Sequence, residues 1–134
     1  MAHWRWVGIL SIALLGTGWL APATLNAAEG YTVEKLRLTS AGDLLDVCTV
    51  DATHEDHDAA IAFCYGFFEG AIRYHQAIIG ADLNRELVCA PSDTTRLQAV
   101  DVFVSYLRAN PQYATEETID AIFRSLMARW PCTK

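Results

Sequence analysis

The sequence predicts a small all-α bundle of four helices reinforced by disulfides. Three observations carry this. Apolar residues recur at three- and four-residue spacing through most of the chain after its first 28 residues. Pro and capping residues punctuate those runs at helical lengths. Four cysteines, Cys48, Cys64, Cys89 and Cys132, follow an N-terminal export signal, and an even number of thiols in a small exported domain reads as a disulfide framework.

The signal comes first. Met1 to Arg5 is a short n-region with one firm positive charge, and Trp6 to Leu20 carries no charge at all. Ala21 to Ala28 is small or helix-breaking, which places cleavage near Ala27/Ala28. At 15 residues the apolar stretch falls short of the roughly 20 needed to span a bilayer. Domain organisation is therefore expected to be a secretory signal over 1–28 and a single domain over 29–134, working in the periplasm. Without Arg5 the remainder keeps 16 acidic and 9 basic residues, a net charge of −7 with histidine neutral. That argues against nucleic acid as a partner, because phosphate binding needs clustered Lys and Arg.

Glu29 to Leu38 reads as a lead-in, with Tyr31, Val33, Leu36 and Leu38 extended. Ser40 is an N-cap for a first helix over Ala41 to about Val50, presenting Leu44, Leu45 and Cys48. Asp51 to Asp58 is polar and runs into the second helix, about Asp56 to Ile79, whose first-turn acids complement the helix dipole. Ile61, Cys64, Phe68, Ala71, Ile72, His75 and Ile79 share one face, and Phe67, Tyr74 and Ile78 make an adjoining stripe. Apolar on more than one side, this helix is predicted to lie at the centre of the bundle. Gly66 and Gly70, four apart, form a groove expected to receive a backbone or a bulky side chain, since each costs about 1 kcal/mol of helix propensity.

Gly80 to Asp93 is a connection holding Cys89 and Pro91. A third helix spans about Thr94 to Ala109, with Leu97, Val100, Phe103, Val104 and Leu107 inward and Asn110-Pro111 ending it. The fourth spans about Thr115 to Trp130, capped by Thr115, striped by Ile119, Ile122, Phe123, Leu126 and Trp130, and stopped by Pro131.

The cysteines are spaced by 16, 25 and 43 residues and contain no close pair of the zinc-knuckle kind. Of three possible connectivities we favour Cys48–Cys89 with Cys64–Cys132, each closing a long loop worth roughly 3–5 kcal/mol in the chain-entropy model. His54 and His57 with Asp58 are the only metal-like cluster, but they lack the zincin spacing and read better as a solvated helix start. His75, on an apolar face, reads as a satisfied core or interface histidine. No serine sits in a Gly-x-Ser-x-Gly elbow, no Gly-rich phosphate loop is present, and bridged cysteines offer no nucleophile. No catalytic, cofactor-binding or metal site is expected, and hence no enzyme.

Taken together, Cys64-Tyr65-Gly66-Phe67-Phe68-Glu69-Gly70, Cys89-Ala90-Pro91, the run Val100 to Leu107 ended by Asn110-Pro111, and the closing Trp130-Pro131-Cys132 resemble the Rap/Tai family of immunity proteins. These periplasmic proteins neutralise type VI secretion peptidoglycan amidases. The resemblance covers Leu44 to Cys132 and departs in its aromatic Phe67 and Phe68, where the family often has a smaller apolar residue. A looser likeness is to the HdeA-type acid-stress chaperones, also small, helical, exported and bridged. What the first resemblance implies is a non-enzymatic binding protein, often a homodimer, that occludes the active-site cleft of an amidase effector. An acid-stress chaperone, or an accessory envelope domain with another partner, is the alternative. The motif positions Gly66, Gly70, Pro91, Pro111 and Pro131 are expected to be scaffold. Exposure and composition place the partner contact on the loop Asp82, Leu83, Asn84, Arg85 and Glu86, with Gln112 and Tyr113 as a second candidate.

Overall fold

A computed structural model describes residues 30–132, so the expected signal peptide lies outside the described residues. Four α-helices are present among them: α1 (Ala41–Cys48), α2 (His57–Gly80), α3 (Arg96–Ala109) and α4 (Thr118–Arg129). The all-α bundle predicted from periodicity is what the chain forms. Two 3-10 turns complete it, Val33–Arg37 before α1 and Pro111–Thr115 between α3 and α4. The lead-in expected to be extended is thus largely helical, and it ends on Leu38 in the left-handed region at φ 51°.

α1 begins where the sequence placed it. The Ser40 hydroxyl accepts from the Asp43 N–H while the Asp43 carboxylate accepts from the Ser40 N–H, a closed capping box. Thr95 and Gln98 form the same device at the start of α3. α4 starts later than expected. Thr115 belongs to the 3-10 turn that Pro111 opens, and the helix begins at Thr118. There the Thr118 hydroxyl donates to the Leu38 carbonyl at 3.0 Å and the Ala41 N–H donates to the Glu116 carbonyl at 2.9 Å. These two bonds join the starts of α1 and α4, and the Glu116 carbonyl satisfies an orphan N–H of α1 beside the Ser40 cap.

The centre of the bundle is α1, not α2. Ala41, Leu44 and Val47 are wholly buried, and α1 touches all three other helices and both 3-10 turns. Its Gly42 lets the second turn approach: a Cβ there would lie 3.2 Å from the Ala114 carbonyl oxygen. The buried face of α2 is the narrower one of Ala60, Cys64, Phe68 and His75. Phe68 meets Phe103 of α3 edge-on, ring centroids 5.4 Å apart. The adjoining stripe is largely open, with Tyr74 70% exposed. Gly66 and Gly70 are open too, having no atom within 4 Å of an added Cβ. The expectation that something packs into this groove is corrected within the described chain.

The disulfide pairing is also corrected. Cys48 bonds to Cys64 and Cys89 to Cys132, with Cα–Cα distances of 5.3 and 4.9 Å. The first bridge is buried and fastens the end of α1 to α2. The second lies at the surface beside an isolated antiparallel bridge between Val88 and Pro131, where the Cys89 N–H donates to the Trp130 carbonyl at 3.0 Å. Both thiols of each pair are brought together by elements that already lie side by side, which leaves the crossed pairing geometrically closed.

Candidate functional site: the connection after the second helix and its cavity

α2 ends at Gly80, and the chain turns on Asp82, a non-glycine residue at φ 54°. Asp and Asn tolerate this conformation better than most residues, but it remains a strained position. Asp82, Leu83, Asn84, Arg85 and Glu86 are all exposed, with Leu83 77% accessible. The first candidate contact segment is therefore an exposed surface with one apolar side chain among polar ones. Its return is fixed by His75, whose Nε2 accepts from the Leu87 N–H at 3.3 Å. His75 is 8% exposed and lies against the Phe123 ring at a centroid distance of 4.7 Å. It is the bonded core histidine that its apolar face suggests.

The second candidate pair separates. Gln112 is exposed, but Tyr113 is half-buried, stacked on Tyr106 at 5.8 Å with the Arg124 guanidinium 4.6 Å over its ring. Arg124 Nε donates to Glu116 at 2.9 Å, and that carboxylate raises the arginine's already high pKa. Tyr113 thus joins the second 3-10 turn to α3 and α4 through stacking and cation–π contact.

Sequence reasoning missed a cavity of about 460 Å³ between α2, α3, α4 and the segment 86–95. Its walls include Ile72, Val88, Phe123, Leu126 and Trp130, and Arg73, Arg96 and Glu69 stand among its more exposed lining. Arg73 Nε donates to one Glu69 oxygen at 2.8 Å and Arg96 Nε to the other at 3.1 Å. The Arg73 bond, against a smaller opposing effect of burial, holds the Glu69 pKa below the usual carboxylate range. The available sequence signal was Arg96 at the first position of α3, the wrong sign for a helix N-terminus.

The histidines at the start of α2 do not gather ligands. His54 accepts from the Asp56 N–H and sets its ring edge-on to Tyr31, while His57 Nδ1 lies 3.2 Å from the Val50 carbonyl. The group within metal-binding distance among the described residues is Glu86, Cys89 and Cys132, and its two sulfurs are the disulfide.

The family model of the Rap1a immunity proteins matches residues 40–132. The chain belongs to that immunity family. The match spans all four helices and both disulfides of this Rap1a-family protein and leaves out only the first 3-10 turn among its structured elements. No curated protein and no solved structure matches the chain significantly. No helix among the described residues is long and apolar enough to cross a membrane.

Proposed function

We propose that this chain is a periplasmic immunity protein that protects its own cell by occluding the active-site cleft of a peptidoglycan amidase effector, itself catalysing nothing. The observation that carries the reading is the family match over 40–132. Two formed disulfides support an oxidising compartment. The exposed segment Asp82 to Glu86, carrying Leu83 and held at its base by His75, has the chemistry of an element that enters a cleft. Gln112 supplies a second, exposed contact.

Two copies pair through the outward face of α2. That face presents Ala59, Ala62, Phe63, Gly66, Gly70, Tyr74 and Ala77 with a single charge, Arg73. An antiparallel two-fold at the level of residue 68 along α2 sets Gly66 opposite Gly70 of the second copy, allowing close backbone approach.

The test is a search for a cysteine–histidine amidase gene beside this chain's gene and a mixing experiment with the amidase so found; the absence of such a neighbour, together with failure to bind any amidase of this kind, refutes the reading. Stoichiometric loss of peptidoglycan hydrolysis, with co-elution of the two proteins, is expected. Full hydrolysis in the presence of excess folded protein refutes the reading.

A further inference from the structure

The cavity beside α3 carries polar groups that the contact-loop reading does not use. One carboxylate, Glu69, holds two guanidiniums, each through its Nε. The four other N–H groups of Arg73 and of Arg96 have no partner among the described residues. Arg96 opens a 14-residue helix whose first turn contains no acidic residue, so its charge adds to the positive end of the dipole instead of cancelling it. An exposed ion pair alone would be an ordinary surface feature. Here the pair borders a cavity whose volume lies in the range of small-ligand sites. Glu86 also lines it.

A buried side chain supplies the independent observation. His75 is more than nine-tenths buried and lines the same cavity. Its Nε2 accepts from the Leu87 N–H, which assigns the ring proton to Nδ1. Nδ1–H has no acceptor among the described residues, and the atom is not sealed from solvent. A donor so placed is open to an acceptor that enters the cavity, water or ligand.

We propose that this cavity binds the carboxyl-terminal residue of a peptide whose last side chain is apolar. The carboxylate takes the free N–H groups of Arg73 and Arg96, a pairing suited to forked guanidiniums. The side chain lies on Ile72, Phe123 and Trp130. The amide carbonyl preceding it accepts from His75 Nδ1–H. This site shares Glu86 with the contact segment but not Leu83, and its test contains no effector, so failure here leaves the immunity reading standing.

The probe is N-acetyl-L-phenylalanine, titrated into the isotopically labelled protein as isolated and followed by NMR at the Leu87 amide and the indole N–H of Trp130, the only tryptophan after Trp19. Saturable shifts at both positions are expected, with the neutral N-acetyl-phenylalaninamide binding about tenfold more weakly, the loss of a charge-assisted contact. Arg73→Gln with Arg96→Gln, in a protein whose remaining spectrum is unchanged, should remove the preference for acid over amide. The proposal is overturned if neither signal moves at about 10 mM ligand, where a fragment of this size should register. Equal binding of acid and amide to the wild-type protein, which requires no variant to fold, overturns it as well. A folded carrier protein ending in the same residue distinguishes sources: binding of both assigns the site to protein termini, and binding of the free ligand alone assigns it to short peptides.

Discussion

Three helical glycines offer a direct comparison between open and filled space. Nothing lies within 4 Å of a Cβ added at Gly66 or Gly70. Alanine there gains about 1 kcal/mol of helix propensity per site and meets no protein atom in the monomer. The double variant Gly66→Ala/Gly70→Ala should therefore be more stable by about 1–2 kcal/mol, and at about 4–8 °C per kcal/mol its melting temperature should rise clearly. Gly42 is the opposite case. Its Cβ would sit 3.2 Å from the Ala114 carbonyl oxygen and 3.6 Å from the Ala114 Cβ, both in the turn that packs on α1. The same gain of about 1 kcal/mol is offset by the displacement of that turn, so Gly42→Ala should be neutral or destabilising. Gly42→Val should cost about 2–3 kcal/mol as an overpacked site. Thermal unfolding followed by circular dichroism, with disulfides intact and protein dilute enough to dissociate any dimer, is the assay. A lowered melting temperature for Gly70→Ala under those conditions would refute the open face of α2. A gain for Gly42→Ala equal to that at Gly66 would refute the close approach of Ala114.

The two disulfides should rank by burial instead of by loop length. Loop entropy alone makes Cys48–Cys64 worth about 3 kcal/mol and Cys89–Cys132 about 4. Removing the buried pair also strips roughly 0.8 kcal/mol or more of apolar burial per side chain, so Cys48→Ala/Cys64→Ala should lower the urea midpoint further than Cys89→Ala/Cys132→Ala; the reverse order sinks the argument. His75→Phe removes the acceptor of the Leu87 N–H, and a loss of about 1 kcal/mol is expected, read as faster hydrogen exchange at Leu87 with little change in α1. The Glu69 carboxylate has a folded pKa below its unfolded value. Its contribution is therefore complete above the unfolded pKa and disappears as pH falls through the folded one; Arg73→Gln/Arg96→Gln should flatten that acid limb of the stability curve, and an unaltered limb counts against the paired site. Leu83→Asp, at an exposed position, should leave the unfolding free energy within about 0.5 kcal/mol of wild type while weakening inhibition of the proposed amidase target at least tenfold.

Local chemistry was legible and partner choice was not, and the boundary falls at identifiable residues. Ser40 and Pro111 act within a turn of their own position, so their roles could be read directly from the sequence. Thr115 misled because Pro111 starts a 3-10 turn that consumes it, and α4 begins at Thr118 without a side-chain cap. The small residues of α2 give the same sequence signal whether a neighbour fills their groove or leaves it open; the deciding fact is that α1, only eight residues long, occupies the bundle centre. Cysteine pairing failed for a related reason. Loop entropy describes the unfolded chain, whereas the bond joins whatever the folded chain has made adjacent. Once α1 is central, Cys48 at its end faces Cys64 across the helix pair, and the Val88–Pro131 bridge brings Cys89 beside Cys132. The cavity follows from the same arrangement, since that bridge brings the segment containing Glu86 and Val88 alongside α4 while α2 contributes Arg73 and His75. Its residues come from three separate stretches of chain, and each alone reads as an ordinary surface or core position. Arg96 is the exception: it breaks the helix-dipole rule in isolation, so a sequence showing a cation at the first position of an uncharged helix turn already asks which anion faces it.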